Sequence, residues 1–196
     1  MDETAELIPD LLAKDLDDGF TELVRVHAGV VYAFLRRVSG SAADADDLGQ
    51  ETFLRAYTAL QEYPPDRLRA LRPRAWLLTI AANAWRNHVR SRVRRPESPL
   101  VTHDAAEIWP DAAPGPAELA ATADDRRRLV AALQELPESH RACVVLRHIV
   151  GLSYAELAEI QGSPVGTVKA HVSRGVDSLR QLLSPSSVAG PEEVSA

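Results

Sequence analysis

The stretch "SYAELAEIQGSPVGTVKAHVSRG", residues 153–175, decides how this chain of 196 residues folds. Its first four residues match a capping box, in which the Ser153 hydroxyl and the Glu156 carboxylate satisfy free N–H groups at a helix start. Gly162 is placed to end that helix, and the Ser-Pro pair after it is placed to begin another. Two helices joined by so tight a turn predict a helix-turn-helix.

The second helix of this pair is predicted to start with Ser163 as its N-cap and Pro164 at its first position. Its apolar residues recur at helical spacing and are expected to face inward: Val165, Val168, Val172, Val176 and Leu179. The outer side then carries Thr167, His171, Arg174 and Ser178, with Lys169 and Ser173 nearer its edge. Polar side chains near the start of such a helix can reach base edges, which is typical of a DNA-recognition helix.

The rest of the chain also favours helices. Ala, Leu, Arg and Glu abound, whereas Gly and aromatic residues are sparse, so we predict an all-α protein. The prolines and the glycine within 96–118 exclude a long helix there and predict a linker. We expect two small helical domains at 1–94 and 123–184, a Pro-rich linker at 95–122 and a disordered tail at 185–196.

Three amphipathic helices are predicted in the first domain. One ends at Gly40, the next is broken at Pro64-Pro65, and the third begins at Pro73 after a basic loop. The third helix has an apolar face, and its opposite face carries Asn83, Arg86, Asn87, Arg90 and Arg94. Trp76 is expected in the core, and Trp85, at the margin of the apolar face, is expected either to pack or to stack on a base.

Charge is distributed unevenly along the chain. The formal net charge is -6, which argues against a protein that coats DNA by bulk electrostatics. Between Arg67 and Arg95, however, arginines recur and neither Asp nor Glu occurs. The preceding stretch "DADDLGQETFLRAY", residues 44–57, carries the opposite charge on Asp44, Asp46, Asp47 and Glu51.

Neither catalysis nor a bound metal or cofactor is predicted. The histidines have no companion acid or nucleophile arranged for catalysis, and no glycine-rich phosphate loop occurs, so we expect no enzyme. Cys143, His140 and His148 do not share one helical face, and a structural zinc site needs four ligands; Cys143 is therefore expected to be a small buried residue. With a single cysteine, no secretory signal and no apolar run of roughly 20 residues, we expect a cytoplasmic protein without membrane insertion.

Three segments, in this order, resemble the bacterial sigma factors and in particular the small two-domain extracytoplasmic-function (ECF) group. "DADDLGQETFLRAY" is similar to the group's D-A-x-D-L-x-Q-E-x-F-L-R-A-Y signature, and "PRAWLLTIAANAWRNHVRSRVRR" to its R-A-W-L-x-x-I-A-x-N segment. "LPESHRACVVLRHIVGLSYAELAEIQGSPVGTVKAHVSRG" is similar to its L-P-x-x-x-R followed by a helix-turn-helix. The resemblance extends from about Leu11 to Leu183.

The resemblance implies a different partner for each charged surface. The acidic helix of sigma region 2 would dock on a coiled coil of the RNA polymerase β′ subunit through Asp47, Gln50 and Glu51. Bases of the minus-ten promoter element would be captured by Arg67, Arg69, Arg72, Asn83, Arg86 and Asn87, and phosphates would be contacted by Arg90, Arg92, Arg94 and Arg95. The helix-turn-helix, as sigma region 4, would touch the polymerase β flap and bind the minus-thirty-five element through Thr167, Lys169, His171, Ser173 and Arg174. An anti-sigma factor is a further expected partner.

Three positions depart from the family pattern. Gly49 stands where an aliphatic residue is usual, and a glycine inside a helix costs about 1 kcal/mol relative to alanine. We therefore expect docking on polymerase to be weaker or differently shaped. His171 and Val176 replace common arginines, so the recognition helix is less basic than usual and its preferred promoter sequence is expected to differ.

Two other functions remain open. A DNA-binding regulator that acts without polymerase would account for residues 123–184 but would leave the arginine-rich helix and its loop unexplained. The second alternative function is that of an interaction protein, which engages polymerase or an anti-sigma factor without directing initiation. A footprint on duplex DNA by the protein alone would favour the regulator, and transcription without sequence preference would favour the interaction protein.

Overall fold

The computed structural model describes residues 3–94, 125 and 127–184, and within them the chain is helical with no strand, as the composition predicts. An N-terminal unit contains α1 (Glu3–Lys14), α2 (Leu16–Ser39), α3 (Ala42–Gln61), α4 (Pro65–Arg69) and α5 (Pro73–Arg94). A C-terminal unit contains α6 (127–134), α7 (Glu138–Val144), which continues into a π-helical turn (Val145–Ile149), α8 (Tyr154–Gln161) and α9 (Val165–Leu183). The predicted linker at 95–122 and the tail at 185–196 lie outside the described residues.

The ends of α2 and α3 follow from local chemistry. The Asp15 carboxylate accepts hydrogen bonds from two backbone N–H groups at the start of α2, and Ser41 caps α3 in the same way. Gly40 ends α2 in the left-handed region at φ 71°, and its N–H donates to the Arg36 carbonyl oxygen. The predicted stop at Gly40 and the start of α5 at Pro73 are confirmed.

The loop expected between α3 and α5 is partly helical. Pro65 opens the short helix α4, a position where a proline costs no hydrogen bond. Leu68 is buried and anchors this helix on α1, because it is the apolar residue among the arginines. Only residues 70–72 form the irregular segment that leads into α5.

Helix α5 is buried on two sides. Leu77, Ala81 and Ala84 lie on the predicted apolar face and are buried, but Leu78 and Trp85 beside them are buried as well. One side of the helix packs on α2 and α3, and another packs on α8 of the C-terminal unit. Trp85 is only 4% exposed and therefore packs instead of being available to stack on a base.

The helix-turn-helix forms as predicted, with one shift. Ser163 N–H donates to the Ala158 carbonyl oxygen behind Gly162, whose φ of 59° is left-handed. Pro164, and not Ser163, occupies the N-cap position of α9, and no side chain caps that end. The predicted start is therefore one residue too early. Val165, expected inside, is 41% exposed because the buried side of α9 begins only at Val168.

The two units pack against each other. Helices α2 and α5 contact α7, the π-helical turn and α8 along a contact region that we call the seam. Four side chains donate hydrogen bonds across the seam: Arg74 to the Val150 carbonyl oxygen, Arg86 to Gln161, Gln134 to the Arg37 carbonyl oxygen and Arg141 to the Val38 carbonyl oxygen. No pattern in the sequence predicted this packing.

Candidate protein and nucleic-acid interfaces

The acidic stretch divides between two environments. Asp44 lies 3.3 Å from Arg92 and 3.9 Å from His88 on α5, and Asp46 lies 3.8 Å from Arg36 on α2. These two carboxylates therefore balance cationic groups of their own unit. Asp47, the next residue, and Gln50, one turn after it, are exposed.

An exposed surface on α3 contains the three residues expected to bind polymerase, Asp47, Gln50 and Glu51. Glu51 is half-buried, and its carboxylate lies 2.5 Å from the Arg55 guanidinium one turn ahead. Leu54 belongs to the same surface and is 69% exposed, the largest exposed fraction among the large apolar side chains in the described part of the chain. An exposed leucine within a polar rim is typical of a protein-binding surface. Its spacing of three and four residues from Glu51 and Gln50 places it on their side of α3 in the sequence pattern, but its exposure is decided by the packing of the other helices.

Gly49 lies beneath this surface and not on it. Gly49 is buried, and a Cβ atom built there would overlap the Tyr32 ring of α2. Tyr32 also faces Phe53, with ring centroids 6.4 Å apart. The glycine thus makes room for an aromatic ring between α2 and α3. Its departure from the family pattern is a packing feature, and it leaves the exposed side of α3 unaltered.

The basic surface begins at α4. The Arg67 guanidinium lies over the Tyr63 ring at 3.6 Å from its centroid, a cation–π contact that holds the side chain against the protein. Arg69 is paired with Asp66 at 3.1 Å, and Arg72 is exposed in the segment before α5. Tyr63 also contacts Trp76, which is half-buried, although it was expected in the core.

On α5 the predicted DNA-facing residues have different surroundings. Asn83, Asn87 and Arg90 are exposed. Arg86 is half-buried, and its guanidinium donates to the Asn83 side chain at 2.8 Å and to Gln161 across the seam at 3.2 Å. Arg92 is exposed but paired with Asp44, as described above. The side chain of Arg94, together with Arg95, lies outside the described residues.

The helix-turn-helix presents a second polar surface. Its capping box is complete: the Ser153 hydroxyl accepts from the Glu156 N–H at 3.2 Å, and the Ser153 N–H donates to the Glu156 carboxylate at 2.8 Å. The Ser153 hydroxyl also donates to the Glu156 carboxylate at 2.6 Å. This hydrogen bond and the one from the Ser153 N–H, with Arg74 and Arg72 as nearby cations, hold the pKa of Glu156 below its usual value. The capping box stabilises the N-terminus of α8, and α8 packs against α9.

Four of the five residues expected to read the minus-thirty-five element are exposed on α9: Thr167, Lys169, Ser173 and Arg174. The Lys169 ammonium lies 5.6 Å from the centroid of the Tyr154 ring, and the Arg147 guanidinium lies 4.8 Å from it. Arg147 was not singled out from the sequence. Because it comes from the π-helical turn, only the tertiary structure brings it beside Lys169.

His171 is not on the outer side of α9, where it was expected. It is half-buried against α7, with its ring centroid 5.1 Å from that of His140 and its Nδ1 4.0 Å from Cys143 Sγ. The close approach of α7 and α9 explains this, because Gly175 is buried and a Cβ there would lie 2.5 Å from Val144 Cγ2. The ring of His171 is thereby drawn toward α7.

Cys143 is buried, as expected, and burial raises the pKa of its thiol to about 11. His148 is exposed and takes no part in the contact between Cys143, His140 and His171. Among residues 3–94, 125 and 127–184 no group of three or more His, Cys, Asp or Glu side chains is placed to hold a metal ion. None of the helices in those ranges is both long and apolar enough to cross a membrane.

An exposed acidic surface, a basic helix and a helix-turn-helix in one helical chain are the combination expected of a two-unit DNA-binding protein. The family models for sigma-70 region 2 and sigma-70 region 4 match residues 23–95 and 126–179. The chain is 38% identical to the ECF RNA polymerase sigma factor SigE of Mycolicibacterium smegmatis, over 83% of this chain and 61% of that protein. It is 36% identical to the RNA polymerase sigma factor CarQ of Myxococcus xanthus, over 85% of this chain and 90% of that protein. The chain belongs to the sigma-70 family, in its extracytoplasmic-function group.

Solved structures agree with this assignment. CnrH, solved in complex with the cytosolic domain of CnrY, is similar to the chain with a TM-score of 0.64 and 27% identity, covering 92% of this chain and 97% of CnrH. The sigma factor RpoE of Bartonella quintana, solved with the anti-sigma factor NepR, has the same TM-score and identity, covering 84% of this chain and 96% of RpoE.

Proposed function

We propose that this protein binds core RNA polymerase and directs transcription initiation at promoters with minus-thirty-five and minus-ten elements. The observation that carries the proposal is the presence of both sigma-70 regions in one chain, each with its own exposed polar or charged surface. A regulator that acts without polymerase would need the helix-turn-helix but neither α3 nor α5. The protein would act by binding, without catalysing a reaction itself, and in the cytoplasm, where polymerase and promoter DNA are found.

The surface on α3 would dock on the coiled coil of the β′ subunit. Asp47, Gln50 and Glu51 supply polar and acidic groups, and Leu54 supplies an apolar contact one turn beyond Gln50 and Glu51. Burial of an exposed leucine is worth roughly 1.5–3 kcal/mol, more than a surface ion pair contributes. Leu54 would therefore provide affinity and the carboxylates would provide orientation.

The basic surface of α4 and α5 would hold the minus-ten element. Arginines contribute affinity through phosphate contacts, and opening a duplex requires a surface that receives unstacked bases. Arg67, Arg72 and the side chains around Asn83 and Asn87 would receive bases of the non-template strand. Arg90, Arg92 and the arginines that follow would contact phosphates.

The exposed side of α9 would read the minus-thirty-five element. Thr167, Lys169, Ser173 and Arg174 lie where a recognition helix contacts base edges and phosphates. His171, turned toward α7, would contribute less than they do. The segment at 95–122 would join the two domains, 1–94 and 123–184, across the polymerase. By analogy with the Bartonella quintana sigma factor solved with an anti-sigma factor, an anti-sigma factor would hold the protein inactive.

In-vitro transcription with purified core polymerase tests this function. Fragmented genomic DNA serves as template, with and without the protein, and the new 5′ ends are mapped. We expect protein-dependent starts that share upstream minus-thirty-five and minus-ten motifs. Binding to core without new starts would indicate an interaction protein, and a specific footprint without core binding would indicate a free-standing regulator.

A further inference from the structure

Two histidines meet where α9 packs on α7. The ring centroids of His140 and His171 lie 5.1 Å apart, and both side chains are half-buried. His171 Nδ1 also lies 4.0 Å from the Sγ atom of Cys143, which is only 1% exposed. A Cβ atom at Gly175 would lie 3.4 Å from His140 Cβ, so the two helices approach closely at this point. The two rings therefore have little room to separate while both stay between the helices.

His171 has an exposed alternative position. Helical periodicity places it on the side of α9 that carries Thr167 and Arg174, and both of those residues are exposed. A histidine side chain has several staggered rotamers, and a change of rotamer needs no movement of the backbone. His171 can thus leave α7 and join the exposed side of α9 by a rotation of its own side chain.

The surroundings of the histidine pair oppose a positive charge. Burial, and next the positive charges of His171 and Arg174, lower the pKa of His140 from its ordinary value of 6.5. Cys143 offers no compensating anion, because burial raises the pKa of its thiol to about 11. Among residues 3–94, 125 and 127–184 no carboxylate is hydrogen-bonded or ion-paired to either ring. Two protonated rings would therefore repel each other between α7 and α9.

The neighbouring elements do not supply that anion either. Helix α2 packs on α7, the π-helical turn continues α7, and α8 packs on α9. Several charged groups of these elements have other partners: Arg36 pairs with Asp46, Arg37 donates to the Ala33 carbonyl oxygen, Arg141 to the Val38 carbonyl oxygen, Arg147 to the Leu152 carbonyl oxygen, Glu156 accepts from Ser153, and Asp177 pairs with Arg180. Others are exposed: Glu135, Glu138, His148, Glu159 and Lys169. A charge on the pair is relieved when one ring turns into solvent.

Outward rotation would add a cation to the side of α9 that carries Arg174. We propose that His140 is a positioning residue, which keeps His171 away from promoter DNA near neutral pH, and that protonation of both rings turns His171 outward, so that the helix-turn-helix binds DNA more tightly as pH falls. A charge that would be permanent on an arginine is thus conditional on a histidine. The contact with DNA rests on the proposed function above.

The direction of the pH dependence follows from the lowered pKa of His140. A histidine whose pKa is lowered by its packing binds fewer protons in the inward arrangement than in the outward one. The inward arrangement is therefore fully stable above the ordinary value of 6.5 and loses stability as pH falls below it. Near pH 8 His171 should lie against α7, and near pH 5 it should point toward solvent.

The movement of His171 is measured without DNA, in the full chain, by NMR contacts between ring protons. We expect the contact between His140 and His171 to be present at pH 8 and lost at pH 5. His140→Phe keeps a ring beside His171 but carries no charge, and its face attracts a cation, so this contact should persist at pH 5. His148→Phe, at an exposed histidine outside the pair, is the matched control and should behave as the parent. Persistence of the ring contact in the parent at pH 5 would overturn the proposal.

The added cation is measured by binding to a duplex of about 30 base pairs of mixed sequence, because each phosphate contact adds about 0.9 to the slope of log K against log salt. Between pH 8 and pH 5 the slope should steepen by about 0.9 more in the parent and in His148→Phe than in His140→Phe. Equal changes in the parent and His140→Phe would mean that His171 does not reach DNA.

The two measurements separate this inference from the proposed function. Neither uses polymerase or a promoter, so failure of the sigma function would appear separately, in transcription. If the parent bound no duplex at either pH, the role of α9 in DNA binding would be wrong, and the inference with it. The ring contacts would still show whether His140 controls the position of His171.

Discussion

At the scale of single residues, the pair Gly49 and Tyr32 shows how a departure from a family pattern is compensated. The glycine costs helix propensity, but the ring that lies against it fills the space between α2 and α3. The sequence pattern shows the cost in helix propensity, but it does not show the packing of the Tyr32 ring. Leu54 is a similar case, since its exposure is a property of the folded protein and not of its identity.

We predict that Gly49→Ala destabilises the protein although alanine favours helices. Overlap with the Tyr32 ring should cost about 1–3 kcal/mol, more than the gain of about 1 kcal/mol in helix propensity. Gly29→Ala is the control, because a Cβ there meets no atom within 4 Å, and it should stabilise the protein. Urea denaturation measures both. If Gly49→Ala were as stabilising as Gly29→Ala, the packing explanation would be wrong.

The α3 surface yields a second prediction at this scale. Glu51→Arg should abolish co-purification with core polymerase, and Leu54→Ala should weaken it about tenfold or more, in line with the apolar area lost. Circular dichroism should show unchanged helicity. Glu62→Arg is the control, because Glu62 is exposed at the C-terminal end of the same helix. It makes the same charge change at an end where the helix dipole favours a cation, and this variant should bind core polymerase normally. Unaltered binding of Glu51→Arg would remove α3 from the polymerase interface.

At the scale of elements, the helix ends are governed by local chemistry that the sequence displays. The capping box of α8, the left-handed Gly40 and Gly162, and the proline start of α5 are found at or within one residue of their predicted places. The faces of helices are less well predicted. His171 and Val165 were each placed on the wrong side of α9, because the neighbouring helix and not periodicity decides which flank of a helix is covered.

The capping box should make the stability of the C-terminal unit pH-dependent. The pKa of Glu156 is lowered in the folded protein, so its contribution is complete above the unfolded value near 4.5 and is lost as pH falls through the folded pKa. Glu156→Gln should therefore be less stable than the parent at pH 7, and the gap should shrink as pH falls below 4.5. Thermal denaturation between pH 3 and 7 measures it. The exposed Glu159→Gln serves as control, and a gap that stays constant with pH would contradict the capping role.

At the scale of the whole molecule, the seam couples two units that the sequence presents as separate. Its polar bonds come from residues far apart in the chain, such as Gln134 and the Arg37 carbonyl oxygen. Trp85 lines a cavity on this seam and is buried there. Its fluorescence therefore responds to opening.

Gln134→Ala should loosen the seam and lower the free energy of unfolding by about 0.5–1.5 kcal/mol, because it removes the bond to Arg37 and one partner of Arg141. Tryptophan emission should shift toward longer wavelength before helicity is lost in urea. Gln181→Ala, at an exposed position on α9, should leave both signals unchanged. Identical transitions in Gln134→Ala and the parent would show that the seam contributes nothing to stability.

The sequence by itself determined the helical class, the helix-turn-helix and the segregation of acidic from basic surfaces. These depend on neighbours within a few residues, such as the contact between Ser153 and Glu156, and on charge clustering that is visible along the chain. Only the tertiary structure decided that Leu54 is exposed, that Trp85 is buried, that His171 turns inward and that Arg86 reaches Gln161. Each of these depends on contacts between distant segments, and helical periodicity states only which side chains share a face, not what covers that face.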